Sequence, residues 1–137
     1  MPRNVKLKGV MDGRMVRAMD DGEDFGFIPV MIRVNTAAGA TNSVSLTMER
    51  KFTVIDAHVI LLGAGSSGDS LTVLNDSTAI TDEMACTGSD KALVRAASID
   101  DAAMEIAAGG TLKVTATDGA GNNQTARAFY IHGYYHK

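Results

Sequence analysis

Val59-Ile60-Leu61-Leu62-Gly63-Ala64-Gly65-Ser66-Ser67-Gly68-Asp69 can be read in two opposite ways. By spelling, an apolar strand runs into Gly63-x-Gly65-x-x-Gly68, the pattern of a dinucleotide-binding loop. Such a loop opens a helix whose first N–H groups hold the pyrophosphate. Here Asp69-Ser70-Leu71-Thr72-Val73-Leu74-Asn75 follows, alternating and β-prone, and Asn75-Asp76-Ser77 then signals a turn. No helix has room to start. Glycine also suits the positive-φ positions at hairpin tips. The stretch is therefore expected to be a β-hairpin: Val59–Leu62 leads out, Gly63–Gly68 turns, and Leu71–Leu74 returns. No cofactor is expected.

The neighbouring segments carry the same period of two. Phe52–Leu62 is the longest strand expected, with Ile55, Ala57, Val59 and Leu61 on one face. Phe52, Val54, Asp56, His58, Ile60 and Leu62 fall on the other. Upstream, Ile28, Val30, Ile32 and Val34 alternate with Pro29, Met31 and Arg33, and Pro29 assigns that strand to a sheet edge or a strand start. Val44, Leu46 and Met48 alternate with Ser43, Ser45 and Thr47. Downstream, Thr78–Cys86 suggests a short strand and a loop. Ala92, Val94 and Ala96 share a face opposite Lys91 and Arg95, and Leu112, Val114 and Ala116 share one opposite Lys113, Thr115 and Thr117. Asp118–Asn123 reads as a hairpin loop before a last strand over Gln124–His132. Ser98-Ile99-Asp100-Asp101 resembles a capping box, predicting one helical turn over Asp101–Ala107 that ends at Gly109-Gly110. Eight to ten short strands without amphipathic helices predict an all-β, jelly-roll-like antiparallel β-sandwich.

Residues 1–25 differ in kind. Arg3, Lys6, Lys8, Arg14 and Arg17 face a single acid, Asp12, and then Asp20, Asp21, Glu23 and Asp24 follow. The expected organisation is an extended charged arm over residues 1–25 and a β-sandwich over residues 26–137. The whole chain has 137 residues, 45% of them hydrophobic, and a net charge of −3. That size gives one domain with a core. The acidic balance argues against a nucleic-acid partner and points the arm toward protein. No apolar run approaches the ~20 residues of a membrane span, and no signal-peptide core opens the chain, so a soluble protein is expected, with no membrane partner. Trp is absent and aromatics make up 5%. A core so poor in rings is thin, and its stability is expected to lean on a partner or on self-association.

Candidate chemistry is sparse. Asp56 and His58 lie two apart on one strand face, where an acid can orient an imidazole or help hold a metal. The competing reading, a polar pair on a solvent or subunit face, is preferred. Asp118–Asn123 lacks the spaced acids of a calcium loop. The acidic run at residues 20–24 reads as solvated charge. Cys86 has no neighbouring His or Lys to lower its pKa, so a small buried or loop thiol is expected. No catalytic or metal residues are assigned, and the chain is not expected to be an enzyme.

Two stretches resemble a known family. Phe52-Thr53-Val54-Ile55-Asp56-Ala57-His58-Val59-Ile60-Leu61-Leu62 leads through the glycine loop to Leu71-Thr72-Val73. Later come Arg95-Ala96-Ala97-Ser98-Ile99-Asp100-Asp101-Ala102 and the run from Glu105 to Gly119. This pattern of strands and turns, over residues 50–133, resembles the small head decoration, or cement, proteins of tailed bacteriophages, which have a jelly-roll fold. The resemblance implies a structural virion protein on the outer surface of a phage head, made in the host cytoplasm. It would bind the major capsid protein across subunit junctions and associate with itself, as a homodimer in preference to a homotrimer. Arg3, Lys6, Lys8, Arg14 and Arg17 of the arm are then the expected capsid contacts. The alternative is a carbohydrate- or cell-surface-binding immunoglobulin-like sandwich, for which Tyr130, Tyr134 and Tyr135 are the available platforms.

Overall fold

Alternating apolar residues make strands that bury one face, and this chain buries them between two sheets. The computed structural model describes residues 26–38, 42–119 and 126–137. The expected arm, with Arg3, Lys6, Lys8, Arg14 and Arg17, lies outside the described residues. Ten strands are present among those described: β1 (Phe27–Thr36), β2 (Asn42–Thr47), β3 (Phe52–Leu61), β4 (Ser70–Asn75), β5 (Thr78–Ala79), β6 (Met84–Ala85), β7 (Leu93–Arg95), β8 (Glu105–Ile106), β9 (Thr111–Thr117) and β10 (Arg127–His136). One sheet has the order β1-β10-β3-β7, with β8 also on β3; the other has β2-β9-β4-β5, with β6 also on β4. All pairs are antiparallel. The chain crosses between sheets at each step from β1 to β4, again from β6 to β7, and at both steps from β8 to β10, which is jelly-roll topology. The all-β antiparallel sandwich expected from the sequence is the fold observed.

The expected hairpin over Gly63–Gly68 is not formed. β3 and β4 lie in different sheets and do not pair, so the eight residues from Leu62 to Asp69 bridge the layers. The glycines serve close backbone approach. A Cβ at Gly65 would overlap the Cys86 carbonyl, and the Gly65 N–H donates to the Gly88 carbonyl at 2.8 Å. Gly68 has φ +83° and backs onto Gly119, where the crossing from β9 to β10 begins; a Cβ on either glycine would collide with the other's backbone. Asp69 fastens the junction. Its carboxylate accepts the N–H groups of Ser66 (3.0 Å) and Gly119 (3.3 Å) and pairs with Arg127 at 3.1 Å, both side chains fully buried. The Asp118–Asn123 segment is likewise not a hairpin, because β9 and β10 belong to different sheets; residues 120–125 lie outside the described residues. A short hairpin does occur at Asp76-Ser77, joining β4 to β5, with Asp76 at φ 56°.

The facing of β3 also departs from expectation. Ala57, Val59 and Leu61 share a face as predicted, and that face is the buried one, but Ile55 is 56% exposed while Phe52 and Val54 are fully buried. The cause is a β-bulge: Asp56 pairs with His132 and Val54 with Gly133, leaving Ile55 as the extra residue. Gly133 is required opposite it, since a Cβ there would overlap the Thr53 carbonyl and the Phe52 ring. The predicted helical turn is reduced to a turn at Asp101–Ala103. Asp100, not Ser98, organises it, accepting the Ala102 N–H on its carboxylate (2.9 Å) and the Ala103 and Met104 N–H groups on its carbonyl. Between the sheets, Phe52 and Phe129 sit fully buried among Leu61, Leu71, Ile80, Ile106, Leu112 and Ile131.

Candidate functional site: the outer face of the β1-β10-β3-β7 sheet

Directly opposed residues of neighbouring strands share a face. On the side of this sheet turned away from the core, register brings Pro29 to Tyr134, Met31 to His132 and Arg33 to Tyr130. It continues with Tyr130 to His58, His132 to Asp56, His58 to Arg95 and Ile60 to Leu93. All three histidines of the chain therefore lie on this face, with Tyr130 and Tyr134. Tyr135 has the other parity and packs inward on Phe52 at 5.1 Å, so it is no platform for a ligand.

The rings form a connected ladder. His58 stacks on Tyr130 (4.9 Å between centroids, 14° between planes) and on His132 (5.1 Å, 27°). Nδ1 of His58 lies 3.2 Å from Nε2 of His132, a hydrogen bond in which one ring donates and the other accepts, as their tautomers dictate. The Arg33 guanidinium caps Tyr130 at 5.7 Å, a cation–π arrangement. Tyr134 meets Phe27 and His136, each at 5.2 Å, and His136 is hydrogen-bonded to Thr53 (2.8 Å). Around the ladder, Phe27, Met31, Ile55 and Leu93 are 48%, 56%, 56% and 64% exposed.

Asp56 and His58 share this face as predicted, but Asp56 does not serve the imidazole. It pairs with Arg95 at 2.7 Å and accepts the Ala57 N–H at 2.9 Å. Burial pushes the Asp56 carboxyl up, yet the Arg95 hydrogen bond, the Ala57 N–H and the Arg95 charge together hold it below the ordinary carboxylate value. His58 is held below its ordinary value, first by burial and then by His132. The preferred reading, a polar pair on an open face, matches this arrangement. The partnership of His58 with His132 was not anticipated, because it depends on the pairing of β3 with β10. The shared parity of Tyr130, His132, Tyr134 and His136 was the available signal.

Elsewhere, Cys86 is buried and its thiol is raised to about 11 by burial. A cleft of about 190 Å³ beside the glycine crossing is lined by Gly68, Asp69, Ser70, Glu83, Ala85 and Thr87. It presents the Glu83 carboxylate, the wrong charge to cradle a pyrophosphate, while Asp69 is turned to Arg127. The acidic run at residues 20–24 lies outside the described residues. Among the described residues no three of His, Cys, Asp and Glu converge as a metal set, and no helix is long and apolar enough to cross a membrane. Comparison with protein-family models, with curated proteins and with solved structures finds no match for this chain.

Proposed function

We propose that this protein is a structural component of a bacteriophage head that binds the outer surface of the shell and braces neighbouring major capsid subunits. The observation that carries the reading is the outer face of the β1-β10-β3-β7 sheet. Phe27, Met31, Ile55 and Leu93 stand exposed around a rigid ring ladder, a composition suited to a macromolecular contact. The jelly-roll topology agrees with the sequence resemblance to cement proteins. The arm joins the sandwich at Gly26, beside Phe27, so Arg3, Lys6, Lys8, Arg14 and Arg17 can extend the same contact to an adjoining subunit. Repeated weak contacts across a symmetric shell sum to firm attachment.

The test is co-purification with phage heads. A fixed, saturable ratio to the major capsid protein supports the reading, and so does loss of attachment on deleting residues 2–19. Heads that recover without the protein, or attach it without saturation, overturn it. The carbohydrate-binding alternative is less well supported. Tyr130 is stacked by His58 and capped by Arg33, Tyr134 is flanked by Phe27 and His136, and Tyr135 is turned inward.

A further inference from the structure

We propose that His58 and His132 form a two-nitrogen chelate for a borderline divalent transition cation, of which Zn²⁺ is the probe. The nitrogens that face each other, Nδ1 of His58 and Nε2 of His132, are 3.2 Å apart. An ion bound at the usual 2.0–2.1 Å from each would subtend an angle of about 100° between them, within reach of tetrahedral or octahedral coordination. The nitrogens need little translation; each ring turns so that its lone pair meets the ion. Imidazole nitrogens suit zinc, copper and nickel, and not magnesium or calcium, which require oxygen.

The surroundings hold the rings in place. Tyr130 stacks on His58, Arg33 backs Tyr130, and the paired strands fix both backbones. Ligand rings fixed before binding lose less freedom when the ion arrives. The Arg95 charge nearby is matched by Asp56, to which it is paired. Proton balance is simple. In the metal-free pair, one ring donates its proton to the other. When the ion enters, that ring carries its proton on its other nitrogen, both lone pairs face the ion, and no proton is released. No third His, Cys, Asp or Glu among the described residues joins the pair, so water or a group from a partner fills the remaining positions.

The experiment uses the full chain after treatment with a chelator and does not involve heads, so it stands apart from the shell-binding reading. Calorimetric titration with Zn²⁺ is expected to reveal a site that Mg²⁺ does not compete for. His58→Gln and His132→Gln should each weaken it by about 100-fold or more, with melting curves confirming that the variants fold. In the unsubstituted protein, imidazole ¹⁵N spectra should show Zn²⁺ moving His58 Nδ1 and His132 Nε2 while His136 stays in place. Zinc binding that survives both substitutions, or spectra in which neither imidazole moves, overturns the proposal.

Discussion

Arg127 and Asp69 are the most consequential pair of single residues in the sandwich. Both are fully buried, and they join the start of β10 to the crossing that precedes β4. Removing one charge strands the other away from water. Arg127→Met is expected to cost about 3–5 kcal/mol in denaturant unfolding. The double variant with Asp69→Leu should still orphan the Ser66 and Gly119 N–H groups, so it should not recover full stability. Gly119→Ala places a methyl group against the Gly68 backbone, and about 1–3 kcal/mol of stability should go with it. His58 gives a pH signature. Its folded value lies below the ordinary 6.5, so below pH 6.5 the unfolded chain takes up a proton that the folded chain refuses. Stability should therefore fall with acidification from pH 6.5 down to the folded value and be insensitive to this group above it. His58→Gln should flatten that part of a stability–pH curve. None of the tertiary partnerships at this scale can be read from spacing: Asp69 and Arg127 are far apart in the chain, and nothing local marks either as buried.

At the scale of elements, alternation proved a reliable guide where the ladder is regular. Leu112, Val114 and Ala116 of β9 point inward as their parity predicts, and Val94 of β7 packs on the core between Ala92 and Ala96. It failed at two kinds of place. A bulge changes parity without changing composition, so parity puts Phe52 and Val54 opposite Ala57, Val59 and Leu61, whereas the structure buries all five together. A connection between sheets and a hairpin present the same local pattern of strand, glycines and strand. Length distinguishes the two: hairpin loops run to about 2–5 residues, whereas eight separate β3 from β4. The bulge makes a sharp prediction. Deleting Ile55 leaves Phe52, Val54 and Ala57 on the faces they already occupy, and the variant should keep its fold. Deleting Ala57 would draw Asp56 into the core, at a cost of about 3–5 kcal/mol. Denaturation midpoints of the two deletions provide the comparison.

For the molecule as a whole, fold class and strand number were legible because burial between two sheets imposes period two throughout. The candidate face was not, because it gathers residues from four strands whose order along the sheet, β1-β10-β3-β7, bears no relation to their order in the chain. If that face is the contact surface, Met31→Asp with Leu93→Asp should leave the melting temperature nearly unchanged while abolishing attachment to heads, as measured by sedimentation. Both side chains are more than half exposed, and surface changes of this kind usually shift stability by no more than ±0.5 kcal/mol. The same strand order has a consequence for synthesis. β10 is the last of the described strands to leave the ribosome, yet it occupies the interior of its sheet, hydrogen-bonded to β1 on one side and β3 on the other. Until residues 127–136 emerge, β1 has no partner in its sheet among the described residues, and β3 has there only the short β7 and β8. The nascent chain therefore carries the open edges of two long strands until β10 emerges and closes both at once. A ribosome stalled before residue 127 would present those edges to its neighbours, so the yield of native protein should depend on how quickly translation runs to the end of β10.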